Sequence, residues 1–164
     1  MNKNTVADSE HARPATLIVG LGNPLRGDDG VGPRVVEELL RREIPSHVEV
    51  LDAGSGGLDL LHILKGRELA VVVDSARLGE DPGQFIRFTP SQVELAPRSF
   101  NPHHASLAEV MTLARALGQP LPRIVVFGIQ AAKLDWGEGL SPAVENTIPK
   151  LIAAILREVS TLVD

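Results

Sequence analysis

Three acidic segments and one histidine pair contain the side chains of this chain that are best suited to chemistry. In chain order these are Asp28 with Asp29, Asp52, Asp74, and His103 with His104. Two carboxylates and one imidazole form a typical oxygen and nitrogen ligand set for a transition metal. Three protein ligands leave positions open for water or a substrate, which is the arrangement of a working site. The histidine pair can equally be ordinary solvated surface, so the pattern alone leaves both interpretations open.

The composition excludes several other site chemistries. The chain of 164 residues has no cysteine, which excludes disulfides, zinc–thiolate sites and iron–sulfur clusters. Its net charge is −5 and it has no basic block, so we expect no nucleic-acid partner. Its apolar runs are shorter than the roughly 18 residues that span a bilayer, so we expect no membrane segment. We expect a cytoplasmic protein and, without a sign of a self-complementary surface, a monomer.

Strands and helices alternate along the chain and must position these residues. Short runs rich in apolar and β-branched residues at 16–20, 48–52, 69–74 and 124–127 predict strands, and 85–88 predicts an additional edge strand. Helical periodicity predicts helices near 31–40, 58–64 and 107–117, and a last helix that starts at Ser141-Pro142 and is kinked by Pro149. This order predicts an α/β fold, a three-layer α/β/α sandwich around a mostly parallel sheet. We expect one domain over residues 16–164, preceded by a disordered leader at 1–15.

In such sheets, ligands bind outside the carboxyl ends of the strands, where Asp29, Asp52 and Asp74 are expected to converge. A single Asp after a strand can be a simple turn or cap residue. Three convergent carboxylates repel one another unless a metal, a proton or a basic group neutralises them. Of the Asp28 and Asp29 pair, we expect Asp28 to cap the following helix and Asp29 to face the cleft.

Nucleotide binding is the alternative to metal binding at this edge of the sheet. Gly20-x-Gly22 after the first strand, with an acid ending the second, is half of a dinucleotide fingerprint. Leu25 stands where the third glycine belongs, and Asp28 and Asp29 would oppose a pyrophosphate at the helix N-terminus. A nucleotide- or small-ligand-binding module is therefore the alternative to a metal site. No Gly-x-Ser-x-Gly nucleophile motif occurs.

Four motifs follow one another along the chain: Gly20-Leu-Gly-Asn-Pro-Leu-Arg-Gly-Asp-Asp-Gly-Val-Gly32, Leu51-Asp-Ala-Gly-Ser-Gly-Gly57, Val73-Asp-Ser-Ala76 and Pro102-His103. In this order and at similar spacing, they resemble the motifs of the hydrogenase maturation endopeptidases. The first motif is specific, whereas the others are weak individually and gain weight from their order. The resemblance extends from about Leu17 to the final helix.

The resemblance implies a hydrolase that removes the C-terminal extension from the large-subunit precursor of a nickel–iron hydrogenase. In that family cleavage follows nickel insertion, so nickel is the recognition signal. The resemblance implies that Asp29, Asp74 and His103 bind the metal and that Asp52, beside the site, supports cleavage. His104 has no counterpart in the motifs.

Three mechanisms remain open: a metal-activated water, an acid pair that acts without metal hydrolysis, or a grip on nickel already held by the substrate. In the first, Asp52 or Asp28 would take a proton; we favour the third, because it explains why cleavage waits for nickel.

Overall fold

A computed structural model of the chain describes residues 13–93 and 102–161, with the side chains of all of these except 92–93 and 102–106. Within these residues there are five strands: β1 (Thr16–Gly20), β2 (Val48–Asp52), β3 (Leu69–Ala76), β4 (Phe85–Phe88) and β5 (Arg123–Gln130). The described residues also form six helices: α1 (Val31–Leu40), α2 (Asp59–Leu64), α3 (Pro90–Val93), α4 (Pro102–Ala116), α5 (Pro142–Glu145) and α6 (Ile148–Ser160).

The five strands form one sheet in the order β2-β1-β3-β5-β4. β4 is antiparallel to β5, and the other neighbours are parallel. The chain leaves β1 towards β2 on one side and leaves β3 towards β5 on the other. The strand order therefore reverses between β1 and β3, and in open α/β sheets this is where ligands bind.

Helices cover both faces of the sheet. Val71 and Val73 of β3 pack in one apolar cluster with residues of α1 and α6. Ala70 and Val72, which point the opposite way because strand side chains alternate, pack in a second cluster with residues of α2 and α4. Coverage on both faces explains why β1 and β3 are buried along their whole length. The predicted three-layer α/β/α sandwich is confirmed.

The last helical segment differs from the prediction of one helix kinked at Pro149. It consists of two helices, α5 and α6, separated by Asn146 and Thr147. Pro149 lies in the first turn of α6, where its missing N–H has no helical acceptor to reach. The proline therefore starts a helix here instead of bending one.

The predicted leader falls mostly on residues 1–12, which lie outside the described residues, so that prediction stays untested there. Arg13 donates a hydrogen bond to the carbonyl of His62, and the carbonyl of Ala15 accepts one from Glu68.

Within residues 13–93 and 102–161, no helix has both the length and the apolar character that crossing a membrane requires.

Candidate active site at the carboxyl end of the sheet

At the carboxyl end of the sheet, β1 ends before β3. The last β1–β3 pair joins Gly20 and Val73, whereas β3 stays paired with β5 as far as Ala76. Asp74, Ser75 and Ala76 therefore extend past the end of β1 at the point where the strand order reverses. The sequence placed Asp74 at the end of this strand, but the strand continues for two more residues.

Close packing of the helix against the strand explains the glycines of the first motif. A Cβ atom on Gly32, in the first turn of α1, would collide with the carbonyl oxygen of Leu21 and lie 2.7 Å from that of Val73. Gly22 has φ = +132°, and a Cβ atom there would collide with the carbonyl oxygen of Asp29. These glycines bring the loop after β1 and the first turn of α1 directly onto the sheet.

The same loop leaves no backbone donor for a phosphate. A phosphate cradle needs N–H groups that point outward from the loop and helix N-terminus. Every N–H from Leu21 to Asp29, Pro24 having none, instead donates within the protein. Six of these N–H groups donate to backbone carbonyls, and two donate to side-chain oxygens. The carbonyls are those of Val73, Gly54, Asn23, Gly137, Lys133 and Arg26, and the side-chain oxygens are Oδ2 of Asp29 and Oδ1 of Asn23. The loop geometry therefore disfavours the nucleotide-binding alternative.

Asp28 does not cap α1, contrary to the sequence-based expectation. The cap position of α1 is Gly30, and no side chain caps the helix. The fully buried carboxylate of Asp28 accepts hydrogen bonds from the backbone N–H groups of Ala132, Lys133 and Ser141 and from the Ser141 hydroxyl, at 2.7–3.0 Å. These four donors lie more than 100 positions away, so local sequence could not reveal them. Asp28 anchors the segment between β5 and α5, residues 131–141.

The anchored segment carries an exposed aromatic ring beside the first motif. Arg26 and Gly137 form a parallel β-bridge, and Gly27 N–H donates to the Gly137 carbonyl at 2.9 Å. The Arg26 guanidinium carbon lies 5.4 Å from the centroid of the Trp136 ring, a cation–π distance. Trp136 is 74% exposed. Sequence reasoning missed this pair, because their proximity depends on long-range pairing.

Asp29 is tied to β3. It belongs to a 3-10 turn, Gly27–Gly30, and is 4% exposed. Its Oδ1 atom accepts a hydrogen bond from the Ser75 hydroxyl at 2.8 Å, and Oδ2 accepts one from the Asn23 N–H at 2.9 Å. The structure therefore brings Asp29 to the residue that follows Asp74. Ser75 lies in the third sequence motif, but nothing in that motif indicates its contact with Asp29.

Asp74 is 1% exposed and shares its face of β3 with Ala70 and Val72, the face covered by α4. His103 and His104 lie in the first turn of α4, and their side chains lie outside the described ones. Asp74 and the start of α4 therefore belong to the same side of the sheet. The described side chains contain no group of three or more Asp, Glu or His residues that could hold a metal ion. The predicted set of Asp29, Asp74 and His103 remains a prediction.

Asp52 lies on the other side of β1. It pairs with Gly20 in the sheet, is exposed, and accepts a hydrogen bond from the Gly54 N–H at 2.9 Å. Two strand spacings, about 10 Å, separate its backbone from that of β3. The structure thus places Asp52 at the same edge as Asp74 but not beside it.

A cleft of about 390 Å³ runs from Asp52 past Gly27 and Gly30 towards Arg34 and Glu145. Arg34 donates hydrogen bonds to Glu38 at 2.6 Å and to Glu145 at 3.2 Å. The hydrogen bond to Glu38 is the main reason why the pKa of Arg34 is raised, and the same bond lowers the pKa of Glu38. Arg34 therefore stays charged, and its charge is paired with those of Glu38 and Glu145.

Comparison with known proteins points to one kind of protein. The family model described as hydrogenase maturation protease matches residues 33–158. The hydrogenase 2 maturation protease of Escherichia coli K12 is 31% identical over 143 residues, which cover 85% of this chain and 87% of that protein. The hydrogenase expression/formation protein HupD of Rhodobacter capsulatus is 32% identical over 146 residues, 87% of this chain and 70% of that protein. The solved structure of the hydrogenase maturating endopeptidase HybD from Escherichia coli has a TM-score of 0.81 at 28% identity, covering 90% of this chain and 93% of that one.

Proposed function

This chain belongs to the hydrogenase maturation protease family and is an endopeptidase, and we propose that it removes the C-terminal extension of a nickel–iron hydrogenase large-subunit precursor after nickel insertion. The nickel held by the precursor is the recognition signal. The observation that carries the proposal is the position of Asp29, which is tied by Ser75 to the strand end that bears Asp74, at the reversal point of the sheet.

We propose that Asp29 and Asp74, with His103 from the first turn of α4, grip the nickel of the precursor. Asp29 and Asp74 are both almost completely buried at the same edge of the sheet, where a divalent cation interacts with carboxylates more strongly than it does in water. Nickel within a folded substrate supplies such a cation. In this scheme the grip on the metal aligns the peptide, so catalysis rests mainly on proximity and orientation.

Cleavage then needs a group that accepts a proton from the attacking water. Asp52 is the proposed base, because it is exposed and lines the cleft beside the first motif. The separation of about 10 Å between β2 and β3 leaves room for an extended segment of substrate across the end of β1. Water attacks the scissile carbonyl carbon while Asp52 takes its proton, and the proton is then passed to the leaving amine.

A processing assay tests the proposal. The substrate is the large-subunit precursor from the same organism, with and without nickel, and the readout is release of the tail by mass spectrometry. His103→Ala and Asp29→Asn are expected to abolish processing. His104→Ala and Asp59→Asn, which alter a neighbouring histidine and an exposed aspartate, are the matched controls and should process normally.

The outcomes separate the competing functions. Processing by the wild type only when nickel is present supports the proposal. Equal cleavage of both precursor forms would identify a peptidase without nickel recognition. Intact loaded precursor after incubation with the wild type would refute the proposed substrate, whereas cleavage by both site variants would refute the assigned residues.

We further propose that the protease acts as a monomer in the cytoplasm. Sedimentation of the purified chain at several concentrations and fractionation of cells test these two points. A mass of twice 17.5 kDa would contradict the first.

A further inference from the structure

The side chain of Ser75 joins the two acidic parts of the site. Its hydroxyl donates to the Oδ1 atom of Asp29 at 2.8 Å, and Ser75 itself is fully buried. A hydrogen bond to a carboxylate is stronger than one between neutral groups, and burial protects it from competing water. This bond connects the turn after β1 to the end of β3.

Asp29 is also held from a second direction. The Asn23 N–H donates to Oδ2 at 2.9 Å, so each oxygen of the carboxylate has a donor from a different segment. Two donors on different oxygens fix both the place and the rotation of a carboxylate group. Groups that hydrogen-bond a metal-binding side chain in this way orient it and tune its affinity.

The opposite end of the connection is held by the pairing of β3 with β5. Ser75 follows Asp74 directly, and the two pair with Ile129 and Gly128 of β5. Because side chains alternate along a strand, Ser75 points towards the Asp29 side of the sheet while Asp74 points towards α4. A shift of Asp29 relative to Ser75 would therefore change its distance from Asp74.

We propose that Ser75 is a positioning residue that sets the spacing of the Asp29 and Asp74 carboxylates, and thereby the affinity of the protease for the nickel-bearing precursor. The inference rests on the proposed function, in which these carboxylates grip the nickel of the substrate. Ser75 acts through Asp29 and does not touch the substrate.

The test compares Ser75→Ala, which removes the hydroxyl, with Ser75→Thr, which keeps it. Ser160→Ala, at the exposed end of α6, is the matched loss of a hydroxyl elsewhere. Two quantities are measured: kcat/KM for the nickel-loaded precursor, and the ratio of the Kd values for nickel-free and nickel-loaded precursor. A purely structural role of Ser75 would leave that ratio unchanged.

Ser75→Ala is expected to lower kcat/KM roughly 10- to 100-fold and to reduce the affinity ratio by a similar factor. Ser75→Thr is expected to restore most of both, and Ser160→Ala to match the wild type. If Ser75→Ala does not fold, Ser75→Cys replaces it, because a thiol is similar in size but a weak donor. The cysteine variant is expected to lose most of the affinity ratio.

Two results would overturn the inference in distinguishable ways. If Ser75→Ala keeps both quantities within twofold of the wild type while Asp29→Asn is inactive, Ser75 does not position the site and the proposed function stands. If the wild type does not process the loaded precursor, the proposed function fails and the inference fails with it.

Discussion

The anchor formed by Asp28 predicts a loop that loosens before the rest of the molecule unfolds. Its buried carboxylate accepts three backbone hydrogen bonds and one from the Ser141 hydroxyl, and these hold residues 131–141 against the first motif. Asp28→Asn keeps the shape of the side chain but replaces one acceptor oxygen with an NH₂ donor.

The magnitude follows from the distribution of the four bonds. Oδ2 accepts three of them and Oδ1 accepts the Ser141 N–H. An asparagine that places its oxygen at the Oδ2 position keeps three of the bonds but loses the charge. Its NH₂ group then stands at the Oδ1 position, where it cannot accept the hydrogen bond from the Ser141 N–H. Losing one hydrogen bond to a charged group costs about 2 kcal/mol. Asp28→Ala removes all four bonds and should lower the free energy of unfolding by about 3–4 kcal/mol. This is less than the sum of four bonds, because water can accept hydrogen bonds from the N–H groups of the exposed residues Ala132 and Lys133.

Urea unfolding followed by two signals measures both the cost and its location. Trp136 is the one tryptophan of the chain and lies in the anchored segment, so its fluorescence reports on the loop, whereas far-UV circular dichroism reports on the whole fold. The two transitions should coincide in the wild type. In Asp28→Asn the fluorescence transition should come at lower urea.

Asp135→Asn, an exposed carboxylate in the same segment, is the control and should change stability by less than about 0.5 kcal/mol. Coincident transitions in Asp28→Asn, with stability within about 0.5 kcal/mol of the wild type, would refute the anchoring role.

Three further perturbations have defined outcomes. The hydrogen bond from Arg87 lowers the pKa of Glu158, so its contribution to stability is full above the pKa of the unfolded chain and is lost as the pH falls through the lower folded pKa. Glu158→Gln should therefore cost about 0.5–1 kcal/mol in urea unfolding at pH 7, and the difference should shrink below about pH 4; a constant difference would contradict this. Gly32→Ala should lower the free energy of unfolding by about 3 kcal/mol, because its Cβ would collide with Leu21, and a normal urea midpoint would show that the contact relaxes without cost. Trp136→Ala should raise KM for the precursor about tenfold without a change in thermal stability, because an exposed ring beside the site is suited to contact a protein substrate; unchanged KM would exclude that contact.

The sequence predicted the strands well because burial on both faces leaves a local signal. Residues 17–19 and 69–73 are apolar throughout, and the structure buries both strands completely. The alternation of Phe85 to Phe88 predicted an edge strand, which is confirmed as β4. The order of the strands has no such local signal, because it depends on which helix crosses which face.

The acidic residues show where local reasoning stops. The sequence placed Asp29, Asp52 and Asp74 at one edge of the sheet, and the structure puts all three at the carboxyl ends of neighbouring strands or their loops. It gave Asp28 the local role of a cap, whereas the structure gives it partners more than 100 positions away. Ser75 carries no pattern of its own, and its role appears only when β3 is seen beside the turn after β1. Metal binding by Asp29, Asp74 and His103, and the role of Asp52, stay predictions.

The glycines of the first motif illustrate how one pattern can suggest two functions. Gly20-x-Gly22 is shared with nucleotide-binding loops, where glycine lets the backbone approach a phosphate. Here Gly22 makes room for the backbone of Asp29, and the neighbouring N–H groups are used within the protein. The close approach is therefore between the loop after β1 and the turn that carries Asp29, so the glycine serves packing within the protein.

We expect cleavage to require nickel in the precursor, and a time course of tail release measures this requirement directly. Wild-type protease is incubated with equal amounts of nickel-loaded and nickel-free precursor, and the released peptide is quantified by mass spectrometry. We expect release from the loaded precursor alone. Release at equal rates from both forms would contradict nickel recognition, and with it the role proposed for Asp29, Asp74 and His103.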